Sequence, residues 1–73
     1  MVINHNPEYF LTIAQERSIS RAAEKLYISQ SSLSQHLAKL ESGLEAKLFD
    51  RSTNPIRLTE AGRIYQEYLE SDR

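Results

Sequence analysis

The sequence predicts a mainly α fold with one small β-hairpin, and three observations carry that expectation. Only two glycines and two prolines interrupt 73 residues, which favours helices joined by short connections. Leu33, Leu37, Leu40 and Leu44 fall at i, i+4, i+7 and i+11, one stripe along a helix. Two short strand-like runs, Leu48-Phe49-Asp50-Arg51 and Ile56-Arg57-Leu58, flank the turn-rich Ser52-Thr53-Asn54-Pro55.

Each element has its own local reason. Asn6-Pro7-Glu8 reads as a helix start, with Asn as cap, Pro where its missing N–H costs nothing, and Glu near the positive end of the dipole. Phe10, Ile13 and Ala14 follow at helical spacing. Ser18-Ile19-Ser20 breaks the pattern, and Ser20 is expected to cap a short second helix whose inward residues are Ala22, Ala23 and Leu26. Ser29 caps a third helix, about Ser29 to Ser42, and Gly43 is placed to close it. Thr59 caps a last helix carrying Ala61, Ile64, Tyr65, Tyr68 and Leu69 along one side. The link between the second and third helices spans only about Tyr27 to Ser29, so those helices must cross steeply, as in a helix-turn-helix. The hairpin after the third helix makes it winged.

Composition narrows the function. A chain of this length forms one domain and buries only about 60% of its unfolded surface. Forty per cent apolar residues suffice for one core, and 26% charged does not suggest disorder. Zero cysteines exclude disulfides, thiolate nucleophiles and cysteine-based zinc sites. No apolar run approaches the ~18–20 residues needed to cross a bilayer, and Met1-Val-Ile-Asn-His lacks the features of an export signal; a cytoplasmic place, with the nucleoid, is expected. His5 has no partner at ligand spacing, so no metal and no cofactor is expected. The serines at 29, 31, 32 and 34 have no nucleophile-elbow setting, and neither a carboxylate pair nor a phosphate-cradling glycine loop occurs. No catalytic residue is assigned.

The net charge of −1 hides a division. Positions 17–57 hold seven basic residues against four acidic, a net of +3, while the rest holds two against six, a net of −4. On the third helix, the side opposite the leucines is Ser31, Gln35, Ala38 and Ser42, flanked by Ser32, Ser34 and Lys39. No acid occurs from Gln30 through Lys39. Short outward side chains let a backbone approach a partner closely. The amides of Gln30 and Gln35 offer a donor and an acceptor together, the pair that reads adenine in a major groove. The free N–H groups at the Ser29 end suit a phosphate. A merely solvated polar face is the alternative, but such a face gains nothing from lacking every acid.

With these residues in view, the chain resembles the N-terminal DNA-binding domain of LysR-type bacterial transcriptional regulators. The matching positions are Phe10; Ser18-Ile19-Ser20 with Ala22-Ala23 and Leu26; Ser29-Gln30 with Leu33-Ser34; Leu40-Glu41; Leu44; Leu48-Phe49 with Arg51; and Leu58-Thr59 with Ala61-Gly62. The resemblance implies a winged helix-turn-helix over residues 1–58, a third helix in the major groove, and a wing, Ser52 to Arg57, on the adjacent minor groove or backbone. Residues 59–73 would begin a linker helix that pairs two subunits. Base-reading candidates are Gln30, Ser31, Ser34 and Gln35. Phosphate or wing candidates are Arg21, Ser29, Ser32, Lys39, Arg51, Asn54 and Arg57; for Arg51 a structural ion pair with a nearby acid is the equal alternative.

Some positions depart from the family. Gln35 and Ala38 stand where arginine or lysine is frequent, Asn54 replaces a frequent wing arginine, Glu45 stands where glycine is usual, and Pro7 where leucine is common. Contacts should therefore lean on amides and hydroxyls more than on charge. Family members carry a larger effector-sensing domain after the linker helix, so the 73 residues are expected to be part of a longer chain, a short natural protein being the alternative. A small-molecule effector would act only through that further domain.

The last helix is expected to form a homodimer through Ile64, Tyr65, Tyr68 and Leu69, with Tyr68 and Leu69 beyond the reach of the small core. Packing onto the first helix within one subunit is the alternative. Such a dimer would take an inverted-repeat site in duplex DNA, with reading helices about one turn, ~34 Å, apart or multiples of it. Tyr9, Tyr27, Tyr65 and Tyr68 are expected in core or dimer packing rather than stacked on bases. His36 is taken as a polar residue flanking the reading face, with phosphate contact the alternative. A winged-helix protein-interaction module without DNA binding is the competing function.

Overall fold

The computed structural model describes residues 7–71. Its elements run α1 Pro7–Glu16, α2 Ile19–Leu26, α3 Gln30–Leu44, β1 Phe49–Asp50, β2 Arg57–Leu58 and α4 Glu60–Ser71. The strands pair antiparallel, Phe49 opposite Leu58 and Asp50 opposite Arg57. This is the expected mainly α winged helix-turn-helix with a final helix.

α1 begins on Pro7 with Glu8 in its first turn; the expected Asn6 cap lies outside the described residues. It ends where Arg17 turns left-handed, φ 56°, and donates its N–H to Ile13 O at 2.8 Å. That turn decides the next cap. Ser18, not Ser20, caps α2: its backbone is extended and its hydroxyl accepts from Arg21 N at 3.1 Å. Ser20 already lies inside the first helical turn, past the position from which a hydroxyl accepts from the free N–H two or three residues on. Ser29 caps α3 as expected, accepting from Ser32 N at 3.0 Å.

The two middle helices end alike. Tyr27 and Glu45 are left-handed, φ 60° and 55°, and each is followed by a bond from the next N–H back over the last turn, Ile28 to Ala23 O and Ala46 to Glu41 O. This is the closing geometry that glycine normally supplies. The close of α3 therefore falls on Glu45 and not on Gly43, which sits within the helix with nothing near it. A Tyr or Glu in this region costs roughly 1 kcal/mol relative to glycine.

Phe10, Ile13, Ala22, Ala23, Leu33, Leu37, Leu40, Leu48 and Phe49 form the core. Leu44, the fourth member of the predicted stripe, is exposed. The helix outruns the core there, and Leu48 and Phe49 complete it after the chain turns back. Glu41 is buried instead: its Oε2 accepts from Leu48 N at 2.7 Å and Phe49 N at 3.3 Å. Tyr27 departs from expectation too, standing 94% exposed at the turn between α2 and α3.

The segment Lys47–Phe49 is a strap between α3 and α4. One side is held by Glu41. On the other, Thr59 N donates to Leu48 O at 3.0 Å and the Thr59 hydroxyl donates to Lys47 O while capping Gly62 N at 3.0 Å. Gly62 is buried against the Leu48 carbonyl. Farther along α4, Tyr65 meets Phe10 edge-on at 4.9 Å, and Leu69 packs against the core, nearer than the sequence suggested. Burial raises the Tyr65 phenol pKa above its usual value, with Tyr68 contributing.

Candidate nucleic-acid interface

Ser29 ties the start of α3 down, so the outward face has a fixed heading. Gln30, Ser31, Ser32, Gln35, Ala38, Lys39 and Ser42 are exposed on it, and Ser34 is half-buried. The Ser32 N–H is spent on the cap, and the residue itself is exposed. The Ser29 and Ser31 hydroxyls approach to 3.5 Å. His36 sits at the edge of the face, half-buried, its ring edge-on to Tyr9 at 4.6 Å. What the face offers is a row of hydroxyls and primary amides with one cation, Lys39.

The wing closes on itself. Asp50 accepts from both the N–H and the hydroxyl of Ser52, and Thr53 Oγ1 donates to Pro55 O at 3.0 Å. The Ser52 hydroxyl, then its N–H, holds the Asp50 carboxyl below the usual carboxylate range, with the Arg57 charge adding to it. The Asn54–Pro55 bond is cis. Asn54, Arg51 and Arg57 are exposed. An open groove of about 410 Å³ runs between α3 and the wing, with Ala38, Lys47, Arg51 and Thr59 among its walls.

Ion pairing leaves most of the basic side chains at this surface uncommitted. Lys25 holds Glu16 at 3.0 Å, whereas no ion pair among the described residues engages Arg21, Lys39, Arg51 or Arg57. No group of three or more His, Asp or Glu that could hold a metal occurs among the described residues, and no described helix is long and apolar enough to cross a membrane.

On α4, the four residues expected at a subunit contact divide. Tyr65 and Leu69 face the chain's own core, while Ile64 and Tyr68, one turn apart, are 59% and 62% exposed. Sequence reasoning passed over two residues that position the site. Glu41 could have been suspected from its place beside the leucine stripe, where an acid needs a buried partner. Lys47 counted only toward the charge, because nothing local shows that the strap carries it to the groove.

The bacterial regulatory helix-turn-helix family of lysR type matches residues 5–63. A probable RuBisCO transcriptional regulator of Trieres chinensis is 48% identical over 58 residues, 80% of this chain and 19% of that protein. Among solved structures, Vibrio fischeri DarR in complex with DNA superposes with TM-score 0.90 at 30% identity, covering 97% of this chain and 25% of that one. The DNA-binding domain of BenM on catB site 1 DNA superposes with TM-score 0.85 at 33% identity, covering 99% and 83%. The chain thus spans about a fifth of the length of the curated relatives it matches.

Proposed function

Because the chain belongs to the lysR family of bacterial regulatory helix-turn-helix proteins, we propose that it binds duplex DNA sequence-selectively in the control of transcription. One observation carries this reading: an exposed, acid-free face from Gln30 to Lys39 on a helix fixed by its cap. α3 enters the major groove with Gln30, Ser31, Ser34 and Gln35 toward base edges. The wing lies on the adjacent minor groove or backbone, and Arg21, Ser29, Ser32, Lys39, Arg51, Asn54 and Arg57 meet phosphate or groove wall. The DNA-bound BenM domain, alike over nearly the whole chain, supports it.

Two copies pair through α4 in this reading, with Ile64 and Tyr68 as the exposed apolar contacts and Tyr65 and Leu69 bracing them from within. The site is an inverted repeat. The work is done in the cytoplasm on the nucleoid, without catalysis, and effector sensing falls outside this domain.

Selection of bound sequences from random duplexes, followed by salt titration, tests the proposal. A steep fall of affinity with salt and a two-fold symmetric site are expected. A flat salt response without preference over random duplex would instead favour a protein-interaction module. On the selected site, Gln35→Ala should cost about 1–3 kcal/mol and relax the preference at one base position. Unaltered binding would remove Gln35 from the readers. Lys39→Ala should weaken all sequences alike and flatten the log–log salt slope by about one; an unchanged slope would rule out its phosphate contact.

A further inference from the structure

On the far side of the wing from α3 lies a second groove, of about 290 Å³, between the end of α1, strand β2 and α4. Its apolar lining is Ala14, Phe49, Ile56 and Leu58; Arg17, Arg57 and Gln66 complete it. No acid lines it. Glu16, next to Arg17 in the chain, is taken by Lys25 at 3.0 Å. Asp50, opposite Arg57 in the sheet, accepts from both donors of Ser52 on Oδ1 and forms no ion pair with Arg57, although the Arg57 charge reaches it. Ile56 N donates to Arg17 O at 3.3 Å, so the end of α1 is tied to the residue before strand β2, and Arg17 and Arg57 line the same groove. Arg17 also holds a left-handed backbone, φ 56°, where glycine would be easier.

We propose that this groove seats one phosphodiester of the bound duplex between the Arg17 and Arg57 guanidiniums, so that DNA is gripped on both sides of the wing. Guanidinium forks match the geometry of phosphate oxygens. The apolar lining suits the C–H face of the neighbouring deoxyribose, and the Gln66 amide can donate to a bridging oxygen. The occupant is backbone because the groove holds two like charges and no acceptor-rich pattern that would read a base edge. The inference rests on the DNA-binding reading above.

The test uses a duplex recovered by random selection, with affinity followed across salt concentration. Arg17→Gly removes the guanidinium, keeps both backbone hydrogen bonds and suits the left-handed conformation. It should therefore keep or raise the melting temperature while flattening the salt slope by about one. Arg57→Gln should do the same to the slope, because the phosphate is seated only while both guanidiniums hold it, and the double variant should therefore go no further. Arg17→Gln, which keeps an ordinary side chain, should match Arg17→Gly in slope. Arg63→Gln, on α4 away from the groove, should leave it unchanged. An unaltered slope in Arg17→Gly and Arg17→Gln, or twice the loss in the double variant, overturns the shared seat. Wild-type protein without salt-dependent binding overturns the DNA reading itself, a different failure.

Discussion

Replacing Gly62 with alanine should lower the melting temperature by roughly 12–24 °C, the shift expected for a loss of about 3 kcal/mol in a domain this small. The cause is a single close approach. A Cβ on residue 62 would stand 2.0 Å from the Leu48 carbonyl oxygen, 2.9 Å from Leu58 Cδ2 and 3.0 Å from the Leu48 carbonyl carbon. The nearest of these atoms is backbone, and that backbone is held from both sides, by Glu41 through Leu48 N and by Thr59 through Leu48 O. Relief requires α4 to lift off the strap, breaking the Thr59 bonds and opening the core beside Phe10 and Tyr65. Alanine's better helix propensity returns at most about 1 kcal/mol. Thermal melts followed by circular dichroism decide the matter, with Gly43→Ala as control. Gly43 has open space around it, so alanine there should hold or raise the melting temperature. Equal behaviour of the two variants would show that the close approach is not rigid.

Glu41→Ala should cost about 3 kcal/mol, a large part of the roughly 4–11 kcal/mol that a chain of this length commands. Two backbone N–H groups, Leu48 and Phe49, point at one buried carboxylate oxygen. Without it both donors stay buried and unpaired, at about 1–3 kcal/mol each. No ion pair among the described residues engages Glu41, so what matters is an acceptor in the right place. Glu41→Gln keeps an amide oxygen there and should recover more than half of the loss. Denaturant unfolding of the three proteins measures this directly. Glutamine as damaging as alanine would mean that the negative charge, and not the acceptor, holds the strap.

Much of the fold was legible in the sequence, and the failures share a cause. The caps at Ser29 and Thr59 were readable because a cap is a local event, one hydroxyl and an N–H three residues on. Ser20 misled because two serines stood close together, and the choice was made by Arg17, whose left-handed turn nothing in the sequence announces. Leu44 and Glu41 exchanged places for a longer-range reason. Periodicity says which side of a helix is apolar, not how far along it the core extends, and the core ends where Leu48 and Phe49 return. Helical placement points Tyr27 toward packing, but the helix ends on it in a left-handed conformation and the residue stands exposed. Of the site, the reading face on α3 was recoverable from the absence of acids and the short side chains. The grooves beside the wing were not, because they join Lys47, Arg17 and Arg57 from segments far apart in the chain.

The strap between α3 and α4 has a mechanical consequence. In the proposed dimer, α4 is the joint and α3 the jaw, and Lys47–Phe49 bolts one to the other through Glu41, Thr59 and Gly62. A protomer built this way works as one arm of a caliper whose opening is set by how the two α4 helices cross. When two half-sites lie off that gauge, the arms do not flex to meet them. The duplex must twist or bend to fit, and sites whose base steps deform cheaply are favoured at positions the protein never touches.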